Sequence, residues 1–122
     1  MVTRNPDLVN EAFRQYAIDW GITRVGRLFK ELDVPLTIVL SSEFLGKYTS
    51  VWREFRASQS NAPIVAHGMN NTSHQLPLGR GIAEQKAYIR RTLDMIADST
   101  GIRPLGWSSP SVYSNEIGRA HV

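Results

Sequence analysis

Asp33-Val34-Pro35-Leu36-Thr37-Ile38-Val39-Leu40-Ser41, DVPLTIVLS, is the stretch on which the chain changes periodicity. Upstream, Ile22, Val25, Leu28, Phe29 and Leu32 recur at helical spacing, while Arg24, Arg27, Lys30 and Glu31 fall on the other side. This spacing predicts a helix over Ile22 to Leu32. Pro35 ends it, because the proline ring disfavours helical backbone in the residue before it. Leu36 to Leu40 is then apolar at nearly every position and bordered by serines, the pattern of a short strand buried on both faces.

The same alternation continues downstream. Ser41 or Ser42 is placed to cap a second helix by accepting a backbone N–H bond, with Phe44, Tyr48, Val51, Trp52 and Phe55 along one side. Asn61-Ala62-Pro63 breaks it, and Ile64-Val65-Ala66 reads as a second strand. From its C-terminal end leaves the loop Ala66 to His74, AHGMNNTSH, which holds two of the three histidines. A third helix is expected over Ile82 to Asp98 on Ile82, Ile89, Leu93 and Ile96, a stripe interrupted by Gln85 and Lys86. Gly101 is placed to end it in a left-handed conformation. Arg103 to Trp107, RPLGW, leads into another strand or extended loop before the turn Ser108-Ser109-Pro110-Ser111. Near the N-terminus, Leu8, Ala12, Phe13 and Tyr16 suit a helix after Asn5-Pro6, or an irregular lead-in, and Asp19-Trp20-Gly21 breaks that pattern. Helices and strands in this order predict an α/β fold with parallel strands and covering helices. In such folds ligands gather at the C-terminal ends of the strands, where the histidine loop starts.

The 122 residues allow one modest core, and an apolar content of 42% with 20% charged residues belongs to an ordinary globular chain. The net charge of +3 and pI of about 9.6 do not mark a nucleic-acid surface. The basic residues are spread from Arg4 to Arg119, and the pair Arg90-Arg91 lies in a helical pattern, so solvated helix faces are expected and no nucleic-acid partner. Cysteine is absent, which excludes disulfides and thiol catalysis. No apolar run approaches the roughly 20 residues that span a bilayer. The N-terminal stretch MVTRNPDLVNEAFRQ has no signal-peptide core, so no membrane partner is expected and the cytoplasm is favoured.

Glu116 to Val122, EIGRAHV, continues no pattern. It is the translation of GAG ATC GGA AGA GCA CAC GTC, which resembles a common sequencing adapter joined in frame. Residues 116–122 are therefore expected to be a non-native tail on a domain of residues 1–115, and His121 is not counted as a ligand.

Three stretches together resemble the polysaccharide deacetylase superfamily, the NodB-homology fold, and its allantoinase-like branch: DWGITRVGRLFKELDVPLTIVLS, IVAHGMNN and GIRPLGWSSPSVYSN. The resemblance implies a partial (β/α) barrel holding roughly its second to fourth strands. It implies a hydrolase of non-peptide carbon–nitrogen bonds, with an N-acetyl sugar or a ureide as its small-molecule or carbohydrate substrate. A divalent metal such as zinc would be held by an Asp and two histidines and would activate water. His67 matches the first histidine of that motif; the second falls at Asn71, with His74 three residues beyond. Asn71 is then a weak oxygen ligand or a substrate hydrogen-bond donor, and His74 replaces the ligand if the loop doubles back.

Arg103 matches the arginine that shapes the groove, expected to orient a catalytic carboxylate or contact substrate; its bland reading is a surface arginine after a glycine cap. Trp107 either stacks on a sugar or lies in the core at a strand end. Ser108 and Ser109 read as turn residues. The Asp-Asp motif that supplies the base is expected upstream of residue 1, and the general acid beyond Asn115, so the catalytic residues lie outside the chain and the chain alone is expected to be inactive. Asp19 is expected to be an N-cap. The alternative is a catalytically inactive NodB-like module that binds carbohydrate or a protein partner. A flavodoxin-like domain would share the alternation but need a phosphate-binding glycine loop, and Gly79-Arg80-Gly81 is too isolated to be one.

Overall fold

A computed structural model describes residues 8–70 and 81–110. They fall into two compact units, one of residues 8–35 with 50–60 and one of 36–49 with 61–70 and 81–110.

The first unit is helical. α1 (Leu8–Tyr16) runs into a π-helical turn (Ala17–Gly21) and then α2 (Ile22–Glu31). The expected break at Asp19-Trp20-Gly21 does not occur. None of these residues is proline, so the helix absorbs the misfit as one wide turn in which Ile22 N–H donates to Ala17 O. Asp19 is accordingly not an N-cap: it lies within that turn and accepts Gln15 Nε2 at 2.8 Å, one helical turn away. On α2 the buried residue is Gly26, against which Phe55 is seated and whose carbonyl accepts Gln59 Nε2 at 2.9 Å. Only part of the apolar stripe is covered, for Val25, Leu28 and Leu32 remain about half exposed or more. Asp33 turns the chain out of α2 with a positive φ of 52°.

The expected second helix is two. α3 (Ser42–Lys47) ends at Tyr48, whose φ of −127° and ψ of 48° leave the helical region, and α4 (Thr49–Ser58) begins at once. The Thr49 hydroxyl donates to Leu45 O at 2.8 Å, supplying a partner for a carbonyl that the break would orphan. Trp52 of α4 is buried in the first unit.

The second unit carries a three-stranded parallel sheet in the order β1 (Ile38–Leu40), β2 (Ile64–Ala66), β3 (Gly106–Trp107). β1 is shorter than the apolar run that predicts it, and Val39 is 54% exposed, so the strand is not buried on both faces. The register aligns Leu40 with Ala66 and Ala66 with Trp107. This row is buried throughout and faces the core. α5 (Ile82–Thr100) crosses from β2 to β3 and ends at Gly101, with the expected left-handed φ of 75°. Its buried stripe is Gln85, Tyr88, Ile89, Thr92 and Ile96. Gln85, where the apolar pattern falters, is thus on the buried face, while Ile82 is exposed. Thr92 keeps its hydroxyl satisfied on Tyr88 O at 3.0 Å.

Ile96 is wholly buried among these groups. Ile96→Ala removes three carbons from a packed site and is expected to cost about 2–5 kcal/mol. Urea unfolding should show a lower midpoint with an unchanged slope; a loss below about 1 kcal/mol would mean that the site collapses around the smaller side chain.

Candidate functional site

Parallel strands leave their C-terminal ends on one edge, and the residues that follow the row Leu40, Ala66, Trp107 are Ser41, His67 and Ser108. The ladder extends one step into this edge: His67 N–H donates to Leu40 O at 2.9 Å and Ser108 N–H to Ala66 O at 2.8 Å. The His67 ring then bridges sideways, with Nδ1 2.8 Å from Ser108 O. A carbonyl oxygen can only accept, so Nδ1 carries the proton, and in the neutral ring the lone pair is on Nε2. That is the tautomer of histidines that ligate a metal or take a proton through Nε2.

After His67 the chain reverses at Gly68, whose φ of 73° is left-handed. The reversal aims two carbonyls back at α3: Ser42 N–H donates to Gly68 O at 3.0 Å and Glu43 N–H to Met69 O at 2.9 Å. These bonds replace the side-chain cap expected from Ser41 or Ser42. Ser41 has the extended backbone of a cap but makes no capping side-chain bond, and the buried Ser42 hydroxyl has no partner among the described residues. Asn70 Nδ2 donates to Glu43 Oε2 at 2.9 Å, tying the next residue of the loop to the same helix.

From the other side comes Tyr88 of α5. Its hydroxyl accepts Met69 N–H at 2.9 Å, and its ring meets Trp107 edge to face, centroids 6.1 Å apart at 84°. Burial pushes the Tyr88 phenol above the ordinary tyrosine range; the nearby Glu43 carboxylate adds to this, and the Met69 N–H works against it. The group is therefore a neutral hydroxyl over the physiological range.

The structure brings His67 and Trp107 together through Ser108. Trp107 is in the core, 5% exposed, with Nε1 donating to Ser109 Oγ at 3.0 Å. Arg103 is exposed and its guanidinium pairs with Asp94 Oδ1 at 2.6 Å. Asn71 and His74 lie outside the described residues, as do the residues of the expected non-native tail. Among the described residues there is no group of three His, Asp or Glu side chains able to hold a metal. His67 has the tautomer of a ligand, but the described residues do not complete a metal site around it. Nor is any described helix long and apolar enough to cross a membrane. Sequence reasoning passes over Tyr88 and Glu43. For Tyr88 a signal exists, because Gln85, Tyr88 and Thr92 form a polar line at helical spacing beside the apolar stripe.

Gly68 and Gly101 share nearly the same φ, which makes them a matched pair. A Cβ at Gly101 would meet nothing within 4 Å, whereas at Gly68 it would stand 2.6 Å from Pro110 Cγ and 2.8 Å from the Tyr88 hydroxyl. Gly101→Ala is expected to cost about 1–2 kcal/mol for the left-handed backbone alone. Gly68→Ala adds about 1–3 kcal/mol of overpacking. The two urea midpoints should therefore differ clearly; equal shifts would show that the turn around Gly68 yields freely.

No protein-family model matches the chain, and no curated protein matches it significantly. Among solved structures, the crystal structure of PuuE allantoinase is similar, with a TM-score of 0.69 and 27% identity over 83% of this chain. The chain spans 32% of the length of that allantoinase chain.

Proposed function

We propose that this chain is part of a hydrolase of non-peptide carbon–nitrogen bonds, built on a (β/α) barrel of the NodB-homology type. The observation that supports the reading best is the likeness to an allantoinase over most of the chain. The parallel sheet is consistent with a segment of such a barrel, and His67 leaves the C-terminal end of its middle strand, the edge where barrel enzymes place their chemistry. The substrate is a ureide or an N-acetylated sugar, both of which offer an amide-type carbon to attack by water.

In this reading His67 contributes Nε2 to the reacting centre, as a metal ligand or as a proton carrier, while Ser108 O holds the ring through Nδ1. Asn71 and His74, which follow in the sequence, are the remaining candidate ligand or substrate contact. Trp107 acts from beneath, as the floor on which the edge is built. Arg103 is proposed to contribute to the groove by exchanging its exposed partner Asp94, an exposed pairing worth about 1 kcal/mol or less. A divalent metal, where bound, would supply Lewis-acid polarisation and a more acidic water.

The test uses the protein carrying this chain together with the rest of its barrel, offered allantoin and an N-acetylglucosamine oligomer in parallel. Turnover of one of them is expected, falling about 100-fold or more in kcat/KM for His67→Ala, the order of loss for a general base or a metal ligand. Undiminished turnover by His67→Ala would contradict the role of His67, and binding without turnover of either compound would favour the non-catalytic module.

A further inference from the structure

Tyr88 is 8% exposed, and it reaches the surroundings of His67 from two directions. Its hydroxyl holds Met69 N–H, two residues past the histidine, and stands 2.8 Å from the place of a Gly68 Cβ. Its ring meets Trp107 nearly at right angles, and Trp107 precedes Ser108, whose carbonyl holds His67 Nδ1. One side chain therefore touches both parts of the frame that orients the imidazole, the turn that follows it and the strand end that anchors it.

We propose that Tyr88 is a positioning residue for His67: the hydroxyl fixes the Gly68–Met69 turn and the ring braces Trp107, so that His67 keeps its Nδ1–H bond to Ser108 O and its lone pair on Nε2. Gly68 has no side chain to limit its rotation, so the turn stays in place only while its polar groups are held. Among the described residues three bonds do this: Met69 N–H to Tyr88, and the two carbonyls that receive Ser42 and Glu43. Of these, only the first comes from a side chain and is removable without touching the backbone. Loss of the hydroxyl leaves the Met69 amide without that acceptor, so the Gly68–Met69 peptide plane, which carries that N–H and the carbonyl that receives Ser42, is held at one end alone and turns about Gly68, loosening the backbone that follows His67. The consequence for catalysis rests on the proposed role of His67; the positional effect does not.

The test is nitrogen-15 NMR of the chain with labelled histidine, the His67 signals being identified by their loss in His67→Gln. The wild-type ring should be dominated by the Nδ1–H tautomer. In Tyr88→Phe, which keeps the ring against Trp107, the other tautomer should rise and the Met69 amide should exchange roughly tenfold faster, the order expected for one lost hydrogen bond. Ile89→Ala loosens the same helix through the core and should leave the His67 tautomer unchanged. An unaltered tautomer and unaltered Met69 exchange in Tyr88→Phe would overturn the proposal, as would an equal tautomer shift in Ile89→Ala. If Tyr88→Phe does not fold, 3-fluorotyrosine at position 88 keeps the ring and weakens the acceptor; it should move both signals the same way by less, and no movement overturns the proposal. An active His67→Ala enzyme would remove the functional reading while leaving this result to stand alone.

Discussion

The carbonyls of Gly68 and Met69 receive the first N–H groups of α3, and this arrangement makes the site edge one unit. A helix start needs acceptors for its leading N–H groups, each bond worth about 1 kcal/mol net and more if a buried donor is left alone. Here the acceptors come from another strand's exit loop instead of a side chain. The carbonyls can point that way only because Gly68 takes a left-handed φ, and the lack of a Cβ leaves room for Pro110 and the Tyr88 hydroxyl. Helix start, loop reversal and the packing of α5 thus depend on one another.

His67 is placed as a result. Its backbone extends the β1–β2 ladder, its ring bonds across to the end of β3, and the residue after it begins the turn that caps α3. The histidine is held by three strands' worth of geometry, with a ring orientation set by a carbonyl that tolerates only one tautomer. Beneath it, Leu40, Ala66 and Trp107 form a buried row in which the small Ala66 sits between two large neighbours. That packed row supports the edge from which His67 leaves.

Much of this was legible in the residues themselves. Pro35 and Pro63 mark where strands begin, Gly101 marks the end of α5, and His67 stands out because it follows an apolar strand. The features that were not legible share a cause: they depend on backbone groups or on residues far apart in the chain. A serine before a helix predicts a side-chain cap, and nothing local tells that distant carbonyls have already taken the N–H groups. The π turn at Ala17–Gly21 and the break at Tyr48 are choices between conformations close in energy, which pattern alone does not resolve. Tyr88 reads as one more aromatic on a helix until α5 is laid across the sheet. Trp107 illustrates the opposite case, since a core position at a strand end was visible in the sequence and the side chain is buried there.

The claim that the histidine loop caps α3 through its backbone is tested most directly by scalar couplings across hydrogen bonds, measured by NMR on the labelled chain. Couplings from the Ser42 amide nitrogen to the Gly68 carbonyl carbon, and from Glu43 to Met69, are predicted to be present. Their absence, with both amides exchanging as quickly as exposed ones, would contradict the account.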